Sequence, residues 1–182
     1  MERLTDLVAE TWTSAADRDW TARAGLLEWT CLETADHAVD TVLAPAVFLA
    51  SRQLDRYPNA WGPFRMGDRA NPASLVEALR TASRILVAVV ADAPVETRAV
   101  IWRRPVVEVR PAPDFLPRAA LELALHAHDV CIGLAVDFRP DDDAAAHLRD
   151  HTIGWPMWEI WQPLERTEDP WGDLLRASGR IA

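Results

Sequence analysis

The sequence predicts a mainly all-α protein in which four long helices form a bundle. Three observations lead to this fold class. Four long segments carry apolar residues at the spacing of a helix face, strand signals are few, and neither an internal repeat nor a flexible linker interrupts the chain. The 182 residues, of which 49 % are hydrophobic, are enough for one domain with a substantial core, so residues 1–182 are interpreted as a single domain.

The first two helices are predicted from periodicity and from a capping motif. Residues 4–19 have apolar side chains along one side of an amphipathic helix. The second helix begins at Thr30, because Thr30-Cys-Leu-Glu33 is a capping box in which each side chain bonds the backbone of the other residue. We expect this helix to continue past Pro45, which would kink it, and to end near Arg56.

The middle of the chain contains a loop, a third helix and an extended segment. Residues 57–68 are expected to form a loop, because they include two prolines and two glycines. Asn71-Pro72 begins the third helix, with Asn as the cap and Pro at the first helical position, and this helix runs to about Ala91. Residues 94–113 carry four prolines and are expected to be extended, with room for one short strand.

The last third of the chain contains the fourth long helix and a short one. The long helix begins at Phe115 or Pro117 and runs to Ala135, and acidic residues from Asp141 onward begin the short helix. For the tryptophans of the tail, core packing is favoured over lining a substrate cavity. These are Trp155, Trp158, Trp161 and Trp171.

Composition excludes several functional classes. The net charge is −9 and no basic stretch is present, so nucleic-acid binding is not expected. All 19 basic residues are Arg, which excludes a Schiff-base lysine, a P-loop lysine and a kinase lysine. None of the 7 glycines forms a dinucleotide or phosphate loop.

Segments for membrane insertion or export are also not found. The longest apolar run, Ile85 to Ala91, is too short to span a bilayer, and the first residues lack the apolar core of a signal peptide. We therefore expect a cytoplasmic protein with no membrane partner, either a monomer or a homodimer. Cys31 and Cys131 form no metal or redox motif and are expected to be free and buried.

The candidate site centres on Glu122 and His126, which lie four residues apart in an apolar run and so share one helix face. Burial of both groups is costly unless a partner satisfies them. Either they satisfy each other or a divalent metal satisfies both. His37, on another helix, would supply a third ligand, since bundles build metal sites from facing helices. Asp129 would then hold the second imidazole nitrogen of His126.

Other polar residues have simpler interpretations. Glu33 is a rival ligand one turn before the upstream histidine, but its capping role explains it. His147 and His151 form the second candidate metal pair, although two histidines near the end of a short helix also suit the helix dipole. Arg103 and Arg104 would suit a carboxylate, but a solvated pair is favoured.

Two motifs resemble those of a known family. Trp29-Thr, followed by His37, resembles the "W-T…H" segment of the mycothiol-dependent maleylpyruvate isomerase family, within the DinB-like superfamily. Glu122-x-x-x-His126-x-x-Asp129 is similar to that family's Glu-x-x-x-His-x-x-Asp helix. The 85 positions from His37 to Glu122 fit two helices and a connection, and the resemblance covers most of the chain.

The tail supports the same resemblance, with departures elsewhere. Residues 169–180 are similar to the "dP…LL…sGR" ending of many small members. Glu28 stands where the family usually has Gly, and Asp36 stands where it usually has a small apolar residue. The named isomerases also carry a further C-terminal domain, whereas this sequence ends at Ala182, which weakens the link to maleylpyruvate as substrate.

The resemblance implies a DinB-like antiparallel four-helix bundle that binds a divalent metal, commonly zinc, through His37, Glu122 and His126. Two His and one Glu leave an open coordination position, as in catalytic zinc sites. The same donors also resemble non-haem iron ligation, so the metal's identity stays open.

The implied chemistry uses a low-molecular-weight thiol, which is mycothiol in the named members. Its sulfur attacks an electrophilic carbon of a small substrate, which leads either to S-transfer or to cis–trans isomerisation. Two alternatives remain open at this point. One is a non-catalytic bundle that binds a metal or a small ligand, and the other is a metal-dependent hydrolase that uses bound water.

Overall fold

Helices make up most of the described chain, residues 1–58 and 63–181 of the computed structural model, which confirms the mainly all-α prediction. The α-helices are α1 (Glu2–Ser14), α2 (Cys31–Ser51), α3 (Pro72–Asp92), α4 (Phe115–Leu134), α5 (Asp142–Thr152) and α6 (Pro170–Ala177). The strands are β1 (Arg98–Trp102) and β2 (Glu108–Pro111). Short 3-10 turns cover Gly67–Arg69, Ala112–Asp114 and Pro156–Ile160.

Helices α2 and α4 pack against each other over their length and run antiparallel. Three contacts place the start of α2 beside the end of α4 and later residues of α2 beside earlier residues of α4. They are Cys31 with Val130, His37 with His126, and Thr41 with Arg118. Residues on two separate helices can therefore converge at the middle of this interface.

The other neighbouring helices differ in direction. Helices α1 and α3 are antiparallel, since Thr5 bonds Ser83 and Asp6 lies 3.8 Å from Arg80. Helices α2 and α3 run in the same direction, because residues early in α2 share a groove with early α3 and residues late in α2 share one with late α3. The first groove includes Val39 and Ala78, and the second includes Leu49 and Val89. The long connection between α2 and α3 makes this parallel arrangement possible.

Two predicted helix ends were wrong by five residues. Helix α1 stops at Ser14, and the indole of Trp20 then donates to the Ala15 carbonyl at 3.0 Å, so the chain has already turned back on the helix end. Helix α2 stops at Ser51 because Arg52 adopts a left-handed conformation with φ of 53°. This cap usually needs Gly, so the sequence carried no signal for it.

The predicted helix starts agree with the structure. The Glu33 amide donates to the Thr30 hydroxyl at 3.1 Å, and the Thr30 amide donates to the Glu33 carboxylate at 2.8 Å, which completes the capping box. Pro45 lies inside α2, as expected. Asn71 caps α3 with Pro72 at its first position.

The segment expected to have room for one strand contains two. Strands β1 and β2 pair antiparallel, with Val100 opposite Val109 and Arg98 opposite Pro111. The β1 interior is buried, and the Val100 amide also donates to Gln53 O at 2.8 Å. Of the predicted loop at 57–68, residues 59–62 lie outside the described residues.

The tail packs onto the bundle through its tryptophans. Trp155, Trp158 and Trp171 are buried, whereas Trp161 is 39 % exposed. Core packing therefore explains three of the four. Within the described ranges, none of the helices combines the length and apolar character that crossing a bilayer requires.

Candidate metal centre

His37 of α2 and His126 of α4 meet at the interface between these helices. Their ring centroids are 4.8 Å apart, with an edge-to-face angle of 72°. Both side chains are partly accessible, and the ring of Trp29 lies 5.1 Å from that of His37 on the outer side. The two histidines that the sequence offers as metal ligands therefore lie side by side.

Glu122 joins the pair from one turn earlier on α4. Its Oε2 lies 3.4 Å from His126 Nε2, and its side chain is only 11 % exposed. Burial alone would raise the pKa of Glu122, but Arg118 and His126 hold this pKa well below its usual range. The carboxylate is therefore ionised at neutral pH.

The pKa values of the two histidines are shifted in opposite directions. Burial, followed by repulsion from His126, lowers the pKa of His37 to about 4, so its ring is neutral. Burial alone would also lower the pKa of His126, but contacts with Asp129 and Glu122 raise it above its usual value. A metal bound through Nε2 would take the place beside Glu122 that a proton occupies when the ring is charged.

Asp129 lies on the far side of His126 from Glu122. Its Oδ2 is 3.5 Å from His126 Nδ1, which has no well-formed hydrogen bond among the described residues. Arg180 donates to both oxygens of Asp129, at 2.7 to 3.2 Å. The tail thus holds the carboxylate that orients His126, with Nε2 of the ring facing Glu122.

Part of the predicted loop, residues 64–66, packs beside His37. The Phe64 amide donates to Asp40 at 2.8 Å and the Met66 amide donates to Asp36 at 3.0 Å. Between them, Arg65 Nη2 lies 2.9 Å from His37 Nδ1. Asp36, which departs from the family pattern, therefore has a structural role in fixing this segment.

A second arginine contacts the site from α4. Arg118 is 7 % exposed, and its Nη2 lies 3.9 Å from Glu122 Oε1. Its Nη1 donates to Thr41 O at 3.4 Å, and its guanidinium carbon lies 4.7 Å from the ring centre of Trp102. The Nε of Arg118 has no hydrogen-bond partner among the described residues.

The donor set suits a divalent metal, although the side chains do not already surround a common point. In residues 1–58 and 63–181, no three His, Cys, Asp or Glu side chains are arranged as a metal-binding group. Glu122 is turned toward Arg118 and His126, and His37 contacts Arg65. Two imidazoles and a carboxylate nevertheless converge, and the under-bonded Nδ1 of His126 faces Asp129, as expected of a histidine whose Nε2 is a ligand.

The second candidate pair does not join this site. His147 is exposed, whereas His151 is half-buried and lies 3.1 Å from the Asp114 carboxylate. Their ring centroids are 5.9 Å apart. His128 turns away from the centre and packs against Trp171, as its position on α4 predicts.

The remaining candidates have structural roles. Glu33 is engaged in its capping box, and Cys31 and Cys131 are free and buried. Burial raises the pKa of Cys31 to about 11, which does not suit a nucleophile at neutral pH. Arg103 and Arg104 are exposed, and Arg103 packs over a tyrosine ring.

Three arginines at the site were not identified from the sequence. They are Arg65, Arg118 and Arg180. Arg118 had a local signal, because it precedes Glu122 by one helical turn. Arg65 and Arg180 contact residues 28 and 51 positions away, and no local pattern reports such a distance.

Comparisons with protein-family models, with curated proteins and with solved structures find no match to the chain. The family resemblance therefore rests on the motifs of the sequence alone.

Proposed function

We propose that His37, Glu122 and His126 bind a divalent metal, with zinc as the first candidate, and that the protein uses a low-molecular-weight thiol to modify a small electrophile. The observation that carries this proposal is the convergence of two imidazoles and one ionised carboxylate from facing helices, beside a carboxylate that orients one imidazole. The motif resemblance supplies the thiol, of the mycothiol type.

The surroundings suit catalysis at a protein surface. His37 and His126 are partly accessible, so a ligand could reach the open coordination position. Trp29 is 44 % exposed and stands beside His37, where it would form an apolar wall for a bound molecule. Asp129 and Arg180 keep His126 in one orientation.

A metal at these residues would supply a Lewis acid that favours the ionised form of a thiol. The thiol would lose its proton and the sulfur would add to an electrophilic carbon of a conjugated double bond, whose π electrons move onto the conjugated group; protonation of that group completes the adduct. In S-transfer the bond to sulfur is kept, whereas in cis–trans isomerisation rotation about the former double bond precedes expulsion of the same thiol. Neither route needs an oxidant or a reductant.

The test is a thiol-dependence assay on zinc-loaded protein. Mycothiol and a panel of small electrophiles, maleylpyruvate among them, would be incubated with wild type and with His126→Ala. We expect consumption of an electrophile that needs both the thiol and His126. Turnover without a thiol would instead identify a hydrolase, and the absence of any turnover would contradict an enzymatic function.

A second candidate function has its own observation. Arg118 and Arg65 already contact Glu122 and His37, so protein groups alone could satisfy the buried polar side chains. This arrangement favours a non-catalytic bundle that keeps the triad as a buried polar network. Metal content separates this candidate from the first.

A further inference from the structure

The contact between Arg65 and His37 is incompatible with metal binding by His37. A guanidinium is always charged and only donates hydrogen bonds, so Nδ1 of His37 must accept from Arg65 Nη2 at 2.9 Å. An Nδ1 that accepts a hydrogen bond carries no proton, so the proton of the ring lies on Nε2. Nδ1 is then occupied and Nε2 is protonated, and neither nitrogen has a free lone pair for a metal.

The contact is held in place by the backbone on either side of Arg65. The amides of Phe64 and Met66 are fixed by Asp40 and Asp36, both of which are buried. The Arg65 side chain itself is 38 % exposed, and its Nη1 donates only long hydrogen bonds, to Asp36 O at 3.3 Å and to Phe64 O at 3.4 Å. Metal binding therefore requires a side-chain movement and leaves the backbone of this segment in place.

Glu122 is paired with Arg118 much as His37 is paired with Arg65. The carboxylate lies 3.9 Å from Nη2 of Arg118, a residue that is only 7 % exposed. The Nε of Arg118 already lacks a hydrogen-bond partner among the described residues. If Glu122 binds a metal, its charge is shared with that metal. Arg118 then becomes a buried cation with too few partners, which is costly.

The local charge balance points to an anion. A divalent metal adds two positive charges, and only one of its three ligands is anionic. The nearby carboxylates are already engaged: Asp129 binds Arg180, and Asp36 binds a backbone amide. Asp40 binds a backbone amide as well and lies 4.0 Å from Arg65 Nη1.

We propose that Arg65 and Arg118 form a binding subsite for a carboxylate ligand beside the metal centre, and that carboxylate and metal bind cooperatively. A planar guanidinium matches a carboxylate with two parallel hydrogen bonds. The carboxylate draws Arg65 away from His37 and neutralises Arg118, and the metal in turn releases both arginines. This inference rests on the proposed metal centre and specifies a carboxylate-bearing class of ligand for it.

The test measures cobalt(II) affinity by visible absorption, with acetate as the carboxylate probe and chloride at equal ionic strength as the reference. Wild type is compared with Arg65→Gln and with Arg56→Gln. Arg56 is an exposed arginine of the same connection that pairs only with its neighbour Asp55 among the described residues. Far-UV circular dichroism checks that each variant is folded.

We expect Arg65→Gln to bind cobalt at least about 5-fold more tightly than wild type in chloride, the lower end of typical coupling between sites. Acetate should tighten cobalt binding to wild type and to Arg56→Gln, and should have a smaller effect on Arg65→Gln.

Two results would overturn it, and they are distinguishable. Equal cobalt affinity in all three proteins, unaffected by acetate, would contradict the subsite while leaving the metal centre intact. If neither wild type nor Arg65→Gln binds cobalt under any condition, the metal centre and the subsite are both contradicted.

Discussion

Removal of Arg180 should destabilise the protein strongly, because it leaves a buried carboxylate without its main partner. The side chains of Arg180 and Asp129 are 12 % and 4 % exposed, and three contacts of 2.7 to 3.2 Å join them. Breaking a buried pair by removing one partner costs about 3–5 kcal/mol. His126, at 3.5 Å from Asp129, offers partial compensation, so Arg180→Met should fall at the lower end of this range.

Urea unfolding followed by circular dichroism measures this loss. In a chain of this size, about 3 kcal/mol corresponds to a fall of roughly 6–12 °C in the melting temperature. The matched control is Arg166→Met, since Arg166 contacts Asp150 with side chains that are 58 % and 43 % exposed. Exposed pairs contribute little, so this control should unfold almost like wild type.

The double variant Asp129→Leu/Arg180→Met, compared with the two single variants, measures the coupling between these residues. Replacement of both members of a buried pair by apolar side chains is often close to neutral, so the double variant should lose much less than the two single losses added together. If Arg180→Met loses no more stability than Arg166→Met, or if the single losses simply add, Asp129 and Arg180 are not coupled and the reasoning is refuted.

Three further predictions follow from the same contacts. Thr30→Ala should cost about 1 kcal/mol in urea unfolding, because it removes the cap of α2. Asp129→Asn should weaken metal binding about 10- to 100-fold in a competition titration, because it changes the group that orients His126. The third prediction is that Asp173 contributes to the loss of stability in acid. Burial alone would raise the pKa of its carboxyl, but hydrogen bonds from Thr167 and Arg149 hold that pKa far below its ordinary value. The resulting stabilisation is complete above about pH 4, the unfolded pKa, and is lost as the pH falls toward the folded pKa. Wild type should therefore lose more stability than Asp173→Asn below this pH.

Each of these has a contradicting result. An unchanged unfolding midpoint for Thr30→Ala would show that its hydroxyl does not stabilise α2. Metal affinity of Asp129→Asn equal to that of wild type would show that Asp129 does not support metal binding by His126. Parallel acid profiles of wild type and Asp173→Asn would show that other carboxylates set the acid limit.

The helix starts could be predicted because their causes are local. The Thr30 and Asn71 caps and the proline beside Asn71 act within four residues, and each lies where the sequence placed it. The end of α2 could not be predicted, because Arg52 takes a left-handed conformation without being Gly. The second strand was missed because pairing of Val100 with Val109 depends on a hairpin that carries few turn signals.

In the candidate site, too, the residues with a local sequence signal were predicted and those placed by tertiary packing were not. Helical spacing placed Glu122, His126 and Asp129 close together on α4, and His37 lies beside them on the facing helix. The arginines that surround these residues come from the connection after α2 and from the tail, so their contacts depend on tertiary packing. One of these arginines, Arg65, contacts the predicted ligand His37 directly, so its position decides whether His37 can bind a metal.

Metal binding by His37, Glu122 and His126 can be measured as metal content, by mass spectrometry on tag-free protein with and without added zinc. Wild type, His126→Ala and His147→Ala would be compared, the last as a histidine outside the site. We expect about one metal per chain in wild type and in His147→Ala, and a loss of that metal in His126→Ala. Wild type that holds no metal even after zinc addition, or His126→Ala that retains it, would contradict the metal centre.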